Sequence, residues 1–321
     1  MKLLPQRADF AAMRRNPRRD ILAGITVALG AGAGIVTAIV AGLLAAIFGG
    51  SNLQISGPTG AMTVVLLPIV AQVGPQGVLV VGLMAGVILV GLAIAGMGRY
   101  IRFVPLPVIE GFTLGIAVII GLQQVPTALG EDVHGSRVVL DAFEAVRMWI
   151  ASPNWTPVLI TAFVAGVMLV ALRFRPPFPV SLIAVAVVTG VVVLAGIDVA
   201  TIGAIPRGLP APSVPVIPWD HVTSLVIPAI AVAALAALES LLCATVADAM
   251  TVGERHDPNR ELFGQGIANL AVPFFGGVPA TAAIARTAVN VRSGARSRLG
   301  AITQSVVLLI VVLVAAPWVS Y

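Results

Sequence analysis

The sequence predicts an all-α polytopic membrane protein in which two helices are broken near their starts, and three observations carry that expectation. The chain is 58% hydrophobic and only 10% charged, with a mean hydropathy of +1.03, so it has too little polar surface to face water all round. Apolar runs near the length that spans a bilayer recur from one end to the other. Two of them open on a glycine and proline break, Ser56-Gly57-Pro58-Thr59-Gly60-Ala61 and Gly276-Gly277-Val278-Pro279-Ala280-Thr281-Ala282. Proline lacks an amide proton and glycine tolerates unusual dihedrals, so each break suits extended backbone turning into a helix. At membrane depth such backbone must be buried in protein or line a cavity, and the half-helix behind it points a partial positive charge at the occupant. Two breaks in corresponding positions point to the central site of a transporter.

The elements follow in order. Residues 1–20 carry Lys2, Arg7, Arg14, Arg15, Arg18 and Arg19 with no convincing cleavage site after them, and read as an uncleaved cytoplasmic tail. The transmembrane domain, 21–321, has candidate spans at 21–50, 55–73, 77–98, 108–125, 157–172, 180–196, 222–250, 262–275, 281–291 and 301–319. Between them, 127–156 carries Glu131, Asp132, Asp141 and Glu144 and a helical apolar pattern at Val139, Phe143, Val146 and Ile150, which fits an amphipathic helix on a membrane surface. Residues 197–218 alternate Ile, Val, Pro and Gly without helical period and read as extended chain.

Positive charge sets the topology. Basic loops hold Arg99 and Arg102, Arg173 and Arg175, Arg255 and Arg260, and Arg292, Arg296 and Arg298, all expected on the cytoplasmic side. That requires residues 21–50 to cross twice, yet their thirty residues fall short of the ~20 that each crossing needs, so this stretch is expected to be a shortened hairpin or to lack a segment. The net charge of +5 therefore reports topology rather than a nucleic-acid partner.

Catalysis finds no foothold. Cys243 is the single cysteine, His134, His221 and His256 have no metal-ligand spacing, and no phosphate loop or nucleophile elbow is present. Neither an enzyme nor a cofactor or metal is expected. Glu239 stands out instead, in an apolar segment where an ionised carboxylate is costly unless it faces protein, a partner or water; it reads as an ion-coupling residue or as a buried acid that holds helices together. Arg286 lies about two turns beyond Pro279, within reach of the cavity or of Glu239, or else belongs with the cytoplasmic-end arginines. The backbone of Ser56, Gly57, Thr59 and Gly60 from one break, and of Ala280, Thr281, Ala282 and Ala283 from the other, is the expected anion site, since free amides and small hydroxyls suit an oxyanion; these small residues also suit close helix packing. Gln54 is a further pocket candidate, Glu110 and Thr113 are weaker ones, and Asp248 reads as a helix-end contact.

The run from Asp20 to Leu29, Phe48-Gly49-Gly50 and Ile55-Ser56-Gly57-Pro58-Thr59-Gly60 resembles the opening of the sulfate permease (SulP) anion transporters. So do Glu110-Gly111-Phe112-Thr113-Leu114-Gly115, the stretch from Ile202 to Pro210, Glu239-Ser240-Leu241-Leu242, Ala247-Asp248-Ala249-Met250-Thr251 and Gly264-Gln265-Gly266-Ile267-Ala268-Asn269. The block from Phe275 to Thr287 is the most specific. The resemblance implies an inverted-repeat transporter of the uracil-transporter type, with two sets of seven segments whose third and tenth are the broken half-helices. Against that pattern the chain reads as incomplete at both ends, with a shortened first segment, no segments after the eleventh and no STAS domain. It implies secondary transport of a small inorganic anion, such as sulfate or bicarbonate, by proton symport or anion exchange; a nucleobase transporter of the same fold, or a product that does not transport, is the alternative. In sodium-coupled members an acid matching Glu239 binds sodium with a hydroxyl one turn later, where this chain has Cys243, so a proton is favoured over sodium as coupling ion. In the family's anion exchangers a basic residue matching Arg286 lies beside the anion. The resemblance further implies a bacterial-type inner (plasma) membrane, a cytoplasmic N-terminus, the lipid bilayer as partner and a homodimer.

Overall fold

The computed structural model describes residues 33–103, 106–133, 135, 137–174, 180–197, 208–251, 255–292 and 294–319. Expectations for the tail 1–20, for 21–32, for Arg175 and His134, and for 198–207 lie outside these residues.

The element order is α1 (Gly34–Phe48), β1 (Ser56–Gly57), α2 (Gly60–Val73), α3 (Pro75–Ile94), α4 (Leu106–Leu129), α5 (Val138–Ala151), α6 (Trp155–Phe174), α7 (Val180–Ala195), α8 (Val222–Ala249), α9 (Pro258–Ala271), β2 (Thr281–Ala282), α10 (Ile284–Arg292) and α11 (Leu299–Val319). Two helices, Pro75–Ile94 and residues 219–249, are long and apolar enough to cross a membrane by length and composition; Gly34–Phe48 and Gly60–Val73 are among the shorter apolar helices. Within 21–50 the described part is one helix of 15 residues, about 22 Å long at 1.5 Å per residue.

Helix boundaries follow local chemistry. Thr59 is extended (φ −127°, ψ 152°) and its hydroxyl accepts from the Met62 amide, so α2 begins at Gly60, within the expected break. Asp257 caps α9 by accepting from Asn259 and Arg260, and Pro258 suits the first helical position, which starts this helix before the expected residue 262. Pro273 has no amide to continue the ladder, so the last turn tightens to a 3₁₀ turn at Val272–Phe275, and Gly276 ends it with φ of 70°. The helix expected over 281–291 starts at Ile284 because Thr281–Ala282 is a strand. Residues 208–218 contain no helix, as their composition implies.

The described chain divides into two compact units. The first takes residues up to Thr113 and from Ala204 to Val319. In it α9 packs on α3 and α1, α8 packs on α3, and α11 lies along α1. Its main core joins Met62 and Leu66 of α2, Val81 and Leu89 of α3, and Val232 and Ala236 of α8. The contact of α9 with α1 is backbone-close: a Cβ on Gly264 would collide with the main chain of Gly49. The second unit, Leu114–Gly203, contains most of α4 and all of α5, α6 and α7, with α6 packed on α7. In α5 the apolar residues Val139, Phe143 and Ile150 are exposed while Ala142 and Ala145 are buried, the arrangement that suits an interfacial helix.

Candidate functional site

Both breaks meet in the first unit. β1 and β2 pair antiparallel, with Ser56 opposite Ala282 and Gly57 opposite Thr281, and each strand leads into a half-helix, α2 and α10. Further bonds lock the crossing. The Ala283 amide donates to the Ile55 carbonyl at 2.9 Å, the Ile55 amide donates to Thr287 Oγ1 at 3.0 Å, and Asn290 Nδ2 donates to the Leu53 carbonyl at 2.8 Å.

Glu239 and Arg286 both reach the first break. Thr59 Oγ1 donates to Glu239 Oε2 at 3.1 Å, and Arg286 Nη2 donates to the Pro58 carbonyl at 2.7 Å. Among the described residues no ion pair joins the two side chains; they hold neighbouring residues of one segment. Glu239 is 6% exposed and so faces protein. The Arg286 guanidinium lies over Gly57, where a Cβ would stand 2.9 Å from Nη1, so a side chain at 57 would push the arginine away. One turn after Glu239, the Cys243 thiol donates to Thr287 Oγ1 at 3.1 Å. The hard-cation oxygen that this position would need for sodium is replaced by sulfur.

Most amides at the breaks already have acceptors. Ala280 donates to Asn269 Oδ1 at 2.8 Å, Ala282 to Ser240 Oγ at 3.2 Å and Ala283 to Ile55. The Ser56 hydroxyl accepts from Gln265 Nε2 at 2.7 Å. At the two helix starts, the amides of Gly60 and Ala61 in α2 and of Ile284, Ala285 and Arg286 in α10 have no acceptor among the described residues. A helix start carries partial positive charge as well as these open donors.

Among the described residues, two cavities flank the crossing. One, of about 150 Å³, lies against Gly34, Pro58, Thr59, Thr63 and Pro279; the other, of about 440 Å³, lies against Ile55, Ala285, Arg286, Asn290 and Gln304. The Arg286 to Pro58 hydrogen bond joins a residue that lines one cavity to a residue that lines the other.

Sequence reasoning passed over the polar face of α9. Glu261, Gln265 and Asn269 recur every fourth residue and are each at most 2% exposed. Glu261 accepts from the Gly50 and Ser51 amides and from Gln54 and Gln265, which places Gln54 in this cluster rather than in either cavity. Three polar residues at that spacing inside an apolar segment are the signal that could have found them. Asp248 accepts from the His256 amide and meets His256 Nδ1 at 2.7 Å, a contact at the end of α8. Glu110 is exposed at the start of α4, away from the crossing in sequence and from both cavities' linings.

A profile described as the sulfate permease family matches residues 19–321. The chain is 40% identical, over 95% of its length, to a putative sulfate transporter, YvdB, of Bacillus subtilis, and 31% identical over 94% to the bicarbonate transporter BicA of a Synechocystis species. It spans 61% and 58% of those two relatives. Among solved structures, the transmembrane domain of a cyanobacterial BicA superposes with a TM-score of 0.81 at 31% identity, covering 95% of this chain and 85% of that one. The murine anion transporter Slc26a9 in its inward-facing state gives 0.75 at 17% identity, covering 94% and 57%, a likeness of fold.

Proposed function

Because the chain belongs to the sulfate permease family and is an integral membrane protein with that family's inverted-repeat helical fold, we propose that it carries a small inorganic oxyanion between the starts of α2 and α10. The observation that carries this reading is the pair of half-helix starts whose open amides, Gly60 and Ala61 on one side and Ile284 and Ala285 on the other, end at one strand crossing beside a guanidinium. Partial charges of this kind bind an oxyanion without holding it as a full ion pair would, which permits release. Ser56, Gly57, Ala280, Thr281, Ala282 and Ala283 frame the site through the strands, while Thr59 and Gly60 face it. Arg286 exchanges its hydrogen bond to the Pro58 carbonyl for one to the anion, which opens one flanking cavity to the other.

Sulfate and bicarbonate, named for the relatives, are the substrates to test. Glu239 is the coupling residue in this reading, taking a proton rather than sodium because Cys243 stands where an oxygen would be needed. The basic loops face the cytoplasm and the N-terminus with them. The test is uptake of labelled sulfate and bicarbonate by the purified chain in liposomes under imposed pH and sodium gradients. Uptake of either anion that responds to the pH gradient and ignores sodium supports the proposal; sodium-dependent uptake overturns the coupling assignment, and uptake of neither anion overturns the substrate class.

A further inference from the structure

The extended segment ahead of α10 lies in a protein interior with one strand partner only. β1 covers one edge of it, over two residues, and an extended chain presents backbone donors and acceptors along both edges. Left bare in apolar surroundings, the second edge would cost more than the strand pairing returns. No third strand is present among the described residues. Three side chains from three helices take its place, one at every second residue. Thr37 of α1 accepts from the Val278 amide at 2.8 Å, and its hydroxyl proton faces two carbonyls, Ala33 at 2.7 Å and Val278 at 3.0 Å. Asn269 of α9 accepts from the Ala280 amide at 2.8 Å and donates to its carbonyl at 2.9 Å. Ser240 of α8 accepts from the Ala282 amide at 3.2 Å. Threonine and asparagine are among the side chains that offer a donor and an acceptor together, which is what one strand residue needs from its neighbour.

We propose that Thr37, Asn269 and Ser240 act as a surrogate strand that fixes where α10 begins, and that they are therefore positioning residues for the anion site although none of them faces the anion. This rests on the anion reading above. The spacing of the residues decides the geometry. Ala282 is two residues before Ile284, so a shift of the 278–282 segment carries the open amides of α10 with it, while the amides of α2, set by Thr59, stay in place. An oxyanion bridging the two half-helix starts senses that shift, and anions of different size and shape sense it differently. Asn269 is the central clamp and is fully buried, and on the same face of α9 Gln265 holds Ser56 of the opposing strand, so one helix face sets both sides of the crossing.

Two variants test this, Asn269→Leu, which removes both bonds to Ala280, and Thr37→Val, which keeps the shape of the side chain and removes its hydroxyl contacts to Val278 and to the Ala33 carbonyl. Amide hydrogen exchange across 278–286 is measured on the purified chain, together with KM and turnover for sulfate and bicarbonate in liposomes. Faster exchange at 278–283 is expected in each variant, with KM raised about fivefold for each bond lost, turnover retained and the sulfate to bicarbonate preference altered. A merely structural role would instead lower the folded amount and the turnover for both anions and leave their ratio as it was; that result, or unchanged exchange, overturns the proposal. If Asn269→Leu does not fold, the near-isosteric Thr37→Val decides. If the wild-type chain takes up neither anion, the anion reading falls, and exchange at 278–283 alone decides whether the clamps position the segment.

Discussion

Glu239, Arg286 and Thr59 are the residues through which the account stands or falls at the smallest scale. Glu239 was legible in the sequence as an acid in an apolar segment, because the cost of charge in hydrocarbon leaves few bland places for it. Its partner was not legible: the bond to Thr59 joins positions 180 residues apart, which no local signal encodes. Replacing Glu239 with Gln keeps the shape and the hydrogen bond but removes the proton-binding group. Uptake driven by an inward proton gradient should be lost, while exchange of one anion for another, which moves no net proton, should persist; unchanged gradient-driven uptake would leave Glu239 a structural acid. Arg286→Ala acts differently. It should raise KM in both modes by about tenfold or more, the worth of a charge-assisted hydrogen bond, and leave the pH response intact. Equal KM values in wild type and variant would return Arg286 to the role of a clamp on the Pro58 carbonyl.

Among the elements, the breaks were the most legible feature and their pairing the least. Proline and glycine announce where helices cannot continue, so the starts of α2 and α10 follow from local chemistry. That the two breaks form a sheet, with Ser56 opposite Ala282, is a matter of register between distant segments, which no local signal encodes. The same limit hid the polar face of α9, which looked like scattered polar residues until the strands lay against it. The start of this helix was misjudged for a local reason, because Asp257 caps it ahead of residue 262. Two substitutions probe these elements. Thr59→Ala removes the cap of α2 and should lower stability by about 1 kcal/mol, read as a lower unfolding midpoint in detergent, with Thr59→Ser restoring most of it. Gly264→Ala places a methyl against the Gly49 main chain, and overpacking of this kind should cost about 1–3 kcal/mol. A Gly264→Ala protein as stable as wild type would mean that α9 can move off α1, and with it the clamp at Ala280.

For the whole molecule, composition was enough to read a helical membrane protein, since the bilayer as solvent leaves few other ways to satisfy the backbone. The division of the chain into two compact units was not read, because it depends on which helices pack together. The central claim is that one oxyanion lies between the starts of α2 and α10. Ala285 is exposed at that second start and lines the larger cavity, so an Ala285→Cys variant made with Cys243→Ser places a single reactive thiol there. Its rate of labelling by a charged thiol reagent, measured in liposomes against increasing concentrations of the anion the protein takes up, tests the claim most directly. The account predicts that labelling slows, with half-protection at the concentration that half-saturates uptake; labelling that proceeds at the same rate in saturating anion, in a variant that still transports, would contradict it.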